Sequence, residues 1–268
     1  MTTRMTGTED TALAADWTAW HAEREETLRA PHGWLSLTGL YWLDTTASRY
    51  PILPGTWRAT EDGAVEIVAA AGDAVAIEGQ PVEGTASVRP DDGAPGVLVA
   101  VDERRVEVLR REHHLALRVR DPQAPTRAAF RGIPAYPVSA RWVVEGRFRP
   151  YPQPARIDVD TVIDGLGFHP TAVGTVTFAL DGAAQELVAL AGADGGLGLH
   201  FRDGTSGHTT YGGGRMLRTP EPGADGDVTL DLNRLVNLPC VLSEHATCPL
   251  PPAGNVVDVA VEAGETLP

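Results

Sequence analysis

Two polar stretches hold the residues whose types and spacing suit chemistry. After Phe201 the chain runs Arg202-Asp203-Gly204-Thr205-Ser206-Gly207-His208-Thr209-Thr210-Tyr211-Gly212-Gly213-Gly214-Arg215. Its glycines let a backbone approach a ligand closely, and Thr209, Tyr211 and Arg215 alternate, so a strand would put them on one face. One reading is an anion site; the other is a glycine-rich hairpin with a solvated arginine. The second stretch runs from Asp231 to Cys240 and on through Cys248-Pro249-Leu250-Pro251-Pro252 to Asn255. Asp231, Asn233 and Asn237 are poor strand residues set among apolar ones, so burial obliges them to find partners. They either form a structural network, with Asp231 gripping Arg234 or Arg215, or line a pocket. In the pocket, Arg215 and Arg234 would clamp a small anionic ligand while Tyr211, Asp231, Asn233, Asn237 and Asn255 orient it.

The cysteines add further readings. As a metal set, Cys240, His245 and Cys248 have the spacing C-x4-H-x2-C, which lacks the paired CxxC of common zinc modules and a fourth ligand, so no metal is expected. A disulfide across that short loop needs an oxidising compartment. As a nucleophile, Cys240 needs a base, and His245 is nearest in sequence. A pair of buried thiols is the remaining reading. His113-His114 and Asp158/Asp160 read as solvated strand residues, and no Gly-x-Ser-x-Gly elbow, His-Glu-x-x-His helix or dinucleotide-binding glycine turn is present.

Composition narrows the chemistry further. All 22 basic residues are arginine. Without lysine there is no Schiff base, pyridoxal phosphate anchor or P-loop lysine, and no cofactor is expected. The net charge of −14 repels nucleic acid and anionic membrane surfaces. Residues 1–17 lack the apolar run of a signal peptide and no window reaches membrane-span length, so a soluble, cytoplasmic protein is expected.

The elements that must position these residues are mostly strands. From Glu9 to about Arg29, Leu13, Trp17, Trp20 and Leu28 recur at helical spacing, with Glu9 and Asp10 near the positive end and Pro31 beyond the last turn. This predicts an amphipathic N-terminal helix, with the tryptophans as docking anchors. Thereafter Val97/Val99/Val101, Val106/Val108 and Leu115/Leu117/Val119 alternate as half-buried strands do, and Asp62-Gly63, Asp181-Gly182, Asp194-Gly195 and Asp203-Gly204 suit hairpin turns. Further strands are expected over Trp142 to Phe148, Val173 to Leu180, Glu186 to Leu190, Leu197 to Phe201, Val228 to Leu232 and Val256 to Val261. The fold class is therefore mainly β: one helix, then two antiparallel sandwich or barrel-like halves. The prolines of Asp121-Pro122-Gln123-Ala124-Pro125 mark the boundary. We assign residues 1–30 to the helix, 31–122 to a first β domain and 126–268 to a second, which carries the candidate site.

The order Tyr211-Gly212-x-Gly214-Arg215, Asp231-x-Asn233, Asn237-x-Pro239-Cys240, Thr247-Cys248-Pro249-x-Pro251-Pro252-x-x-Asn255 and Glu262-Ala263-Gly264-Glu265 resembles the domain-of-unknown-function family number 1684. Trp34 to Leu43, Phe130-Arg131-Gly132 and Tyr136-Pro137-Val138 extend the resemblance over nearly the whole chain. It implies a β-rich fold, a first half distantly similar to forkhead-associated sandwiches, and no agreed activity. The family's longer glycine, serine and aspartate stretch is cut short near Arg49-Tyr50-Pro51, which argues against a phosphopeptide role for that half. His245 lies where the family pattern is less fixed.

Two functions follow as expectations. In the first, the second β domain binds, and by way of Cys240 and His245 hydrolyses, a small anionic ligand. In the second, the protein is a non-enzymatic interaction module whose first half binds a partner and whose polar cluster braces a proline-rich loop.

Overall fold

The computed structural model describes residues 7–268, with side chains from Asp10 onward; the expected place of Glu9 near the helix start lies outside the described side chains. The helix forms as α1, Gly7–Arg29. Leu13, Trp17, Trp20, His21, Arg24, Glu25 and Leu28 make its sheltered face, at spacings of three and four. That face is half polar, and its polar members make specific bonds described below. Among the described residues no helix is long and apolar enough to cross a membrane.

The chain divides into two compact units, Glu26–Arg131 with Leu242–Ala246, and Met1–Glu25 with Gly132–Val241 and Thr247–Pro268. In the first unit the strands are β1 (Leu37–Trp42), β2 (Thr56–Ala59), β3 (Val65–Ala69), β4 (Val75–Ile77), β5 (Gln80–Pro81), β6 (Gly84–Val88), β7 (Val97–Val101), β8 (Arg104–Arg111) and β9 (His114–Arg120). They pair antiparallel in a six-stranded sheet, β1-β9-β8-β7-β4-β5, and a three-stranded one, β2-β3-β6. The alternating valines and leucines of β7, β8 and β9 point into one core with Trp57, Val65 and Ile67. β8 and β9 are not half-buried as expected. Their other face is also covered, because Leu109 and Ala116 are buried there and Glu107 pairs with Arg118 at 3.3 Å and Arg120 at 3.1 Å, beside Trp34.

The second unit holds β10 (Val143–Arg156), β11 (Val159–Asp160), β12 (Gly167–Phe168), β13 (Thr171–Leu180), β14 (Ala183–Ala191), β15 (Leu197–Phe201), β16 (Arg215–Thr219), β17 (Asp227–Asp231) and β18 (Val236–Asn237). Seven of these form one antiparallel sheet in the order β17-β10-β13-β14-β15-β16-β18. Its core joins Val176, Leu187, Leu199, Phe201, Leu217 and Leu230 to Val257, Val261 and Ala263 from the chain's last segment. Asp181-Gly182 makes the β13–β14 turn with φ of 49° and 82°, a mirror-image turn that matches strand twist.

Two expected elements differ. Asp203-Gly204 is not a hairpin turn: Asp203 turns its carboxylate inward, and a Cβ on Gly204 would press on Ala260 N at 3.0 Å. Val256 to Val261 is not a ladder strand but an irregular strap. It is joined to Arg202 by one bridge and by the Val257 N–H at 2.8 Å, while Val257 and Val261 face the core. Val257, Val259 and Val261 still alternate inward as the sequence pattern expects, Val259 only partly buried, but without a continuous ladder of strand pairing.

Candidate functional site

β16 sits between β15 and β18, with Arg215 opposite Phe201 on one side and Asn237 on the other. This register brings the two polar stretches together. Arg215 is fully buried, and its guanidinium points at the chain's last segment. Nη2 donates to Asp203 Oδ2 at 2.9 Å and to Val261 O at 2.8 Å; Nη1 donates to Ala263 O and to Glu265 O at 3.2 Å. The other Asp203 oxygen accepts from Thr205 N at 2.8 Å, Thr205 Oγ1 at 2.6 Å and Val261 N at 3.2 Å. The charge and the two terminal nitrogens are thus matched inside the protein, as a buried ion pair requires, while the Arg215 Nε–H is buried with no hydrogen-bond partner among the described residues. The anion-clamp role expected of Arg215 would need an incoming anion to displace Asp203.

The asparagines act as staples. Asn255 Oδ1 accepts from Val188 N at 2.8 Å, and its amide donates to Val188 O at 3.0 Å and His200 O at 2.9 Å, so one side chain imitates a strand partner for β14 and β15. Asn233 does the same to Ser139, with 3.0 Å bonds to both its N–H and C=O, and its own carbonyl accepts from Trp17 Nε1 at 2.7 Å. Asn237 donates from its amide to Thr266 O at 2.8 Å and from its backbone to Glu265 Oε2 at 2.6 Å. Glu265 is buried and paired with Arg24, which also donates to Asn237 O at 3.1 Å. Asp231 caps the turn Leu232–Arg234 by accepting from Asn233 N at 3.1 Å and holds Arg234 Nε at 3.2 Å. Arg234 also reaches Asp16, with its guanidinium 5.3 Å from the Trp20 ring.

Tyr211, Cys240 and Cys248 stand apart from this network. Cys240 N–H donates to Cys248 Sγ at 3.2 Å and Cys248 N–H to Cys240 Sγ at 3.3 Å. Burial pushes the Tyr211 phenol above 10.0, and the neighbouring Cys240 and Cys248 push it the same way. Its ring packs over Gly213, where a Cβ would sit 2.4 Å from a ring carbon. The Gly213 carbonyl accepts from His200 Nε2 at 3.0 Å, and burial holds His200 down at about 4, so the ring is neutral near pH 7. His245 belongs to the segment that clusters with the first unit, and its N–H meets Ser243 Oγ at 3.2 Å. Among the described residues no group of three or more His, Cys, Asp or Glu is placed to hold a metal ion.

Asp203, Glu265, Arg24 and His200 escaped the sequence reading. Asp203 was hidden in an Asp-Gly turn pair, and Glu265 stood in the last family-like motif without an assigned role. Nothing local marks Arg24 or His200.

Residues 128–266 match the family described as Protein of unknown function (DUF1684). The match begins well after Trp34 to Leu43, so it is narrower than the whole-chain resemblance. One solved structure that the chain resembles is the solution NMR structure of the uncharacterized protein from gene locus rrnAC0354 of Haloarcula marismortui. It is 32% identical, with 52% of this chain and 78% of that chain covered, at a TM-score of 0.44. No curated protein matches the chain.

Proposed function

Because the chain belongs to the DUF1684 family of proteins of unknown function, whose name carries no activity, we propose a function from the geometry: a non-enzymatic interaction module. The polar cluster of the second unit braces its closing strap, and a cavity in the first unit receives the partner. The internal pairing of the Arg215 terminal nitrogens carries this reading. Their donors, and those of Asn255 and Asn233, are spent on the protein's own carbonyls and carboxylates, which is what a brace needs and a ligand clamp does not.

The first unit offers a cavity of about 450 Å³, within the range of ligand pockets. Leu43, Ala59 and Leu115 supply apolar lining; Asp44 and Glu61 set two carboxylates against the guanidinium of Arg110, while the third carboxylate, Asp62, is paired with Arg89. An apolar floor under an excess of negative charge suits a peptide segment in which a basic side chain neighbours an aliphatic one. Calorimetric titration of the full chain with a short peptide of alternating arginine and leucine tests it. Saturable binding that weakens with salt, and weakens further in the Asp44→Asn/Glu61→Gln double variant, is expected. Equal binding by that variant, or none by the native protein, would overturn the reading.

A further inference from the structure

Cys240 lies on the short turn Pro239–Val241, and Cys248 is eight residues on, where the chain re-enters the second unit. The Cys248 end of this loop is anchored. Val162 N–H donates to Cys248 O at 3.0 Å, Leu250 N–H donates to Asp160 O at 2.7 Å, and Thr161 bridges Pro249. Each sulfur accepts the other residue's backbone N–H, so the two side chains cross. A sulfur that touches its partner's backbone nitrogen is within reach of its partner's Cβ, the approach that disulfide closure requires. Donors aimed at a sulfur also favour its thiolate form, the reactive one. The two cysteines differ in access: Cys248 is buried and Cys240 is partly exposed.

We propose that Cys240 and Cys248 form a reversible dithiol–disulfide pair, with Cys240 as the attacking thiol and Cys248 as the resolving one. The oxidant is a low-molecular-weight disulfide. The Cys240 thiolate attacks one of its sulfurs, breaking the S–S bond and releasing one thiolate. The Cys248 thiolate then attacks the Cys240 sulfur, forming the internal bond and expelling the second thiolate. The protein gives up two electrons and two protons, and the oxidant leaves as two thiols. This inference is independent of the cavity in the first unit.

Oxidised glutathione on the native full chain is the test, followed by intact mass, thiol titration and peptide mapping. The expected product is lighter by two hydrogens, has lost both titratable thiols, maps to a Cys240–Cys248 link and reverts with reduced glutathione. Cys248→Ser should accumulate a stable glutathione adduct at Cys240, whereas Cys240→Ser should react roughly tenfold more slowly or worse. If neither variant folds, the native protein's mass and map decide alone. A chain that keeps both thiols, holds glutathione as a lasting adduct, links only to a second copy, or closes only in denaturant overturns the proposal.

Discussion

Arg215 and Asp203 meet at 2.9 Å with 0% and 1% of their side chains exposed, twelve residues apart in the chain and on opposite sides of a glycine-rich loop. A pair so placed stabilises through completeness: each charge is compensated, and either one left alone would be a bare ion in a low-dielectric interior.

Replacing Asp203 by Ala should therefore cost on the order of 3–5 kcal/mol. The second unit should melt roughly 10 °C lower. Calorimetry that separates the two units reads this directly. A loss below 1 °C would mean that the pair is solvated in solution.

Asn255→Ala removes the acceptor for Val188 N–H and the donors to Val188 O and His200 O. Stranding one buried N–H costs about 1–3 kcal/mol. Amide exchange should speed up at Val188 first, because the edge of β14 opens there before the sheet as a whole.

His200 makes stability depend on pH. Its proton affinity is depressed in the fold, to about 4 from 6.5, so the unfolded chain binds the proton more readily. Stability is full above about pH 6.5 and falls as the pH drops towards 4, by on the order of 3 kcal/mol. Urea midpoints across that window should fall for the native protein, and more shallowly for His200→Gln, which keeps a donor for the Gly213 carbonyl.

Gly213→Ala drives a methyl group into the Tyr211 ring. The ring must swing outward, the burial that raises its phenol is relieved, and the titration midpoint should move down towards 10.0. Ultraviolet titration of the variant against the native protein measures it. Five tyrosines contribute, so the difference spectrum isolates the one that moves.

Local patterns carried the strands well. Alternation in Val97/Val99/Val101 and Leu115/Leu117/Val119 reports a pleated surface with one face inward, and Asp181-Gly182 reports the backbone that a two-residue turn demands. The two polar stretches also stood out, because asparagines among leucines force a partner to exist. Who the partner is cannot be local. Asn255 reaches Val188, sixty-seven residues back, and Arg24 reaches Glu265. Asp203-Gly204 misled for a related reason: a short acidic side chain beside glycine has the same local chemistry whether it turns outward to cap a hairpin or inward to meet an arginine. The second buried face of β8 and β9 depended on Glu107 pairing with two arginines, which alternation cannot register.

The Arg24–Glu265 pairing spans 241 positions. A ribosome working at roughly 5–20 residues per second needs about 10–50 s to travel from one to the other. Until it does, α1 has no carboxylate to dock against, and Trp17 and Trp20 stay uncovered on a nascent chain. The earliest helix made is thus among the last elements seated, and over that interval this chain depends on whatever shields newly made polypeptides from clumping.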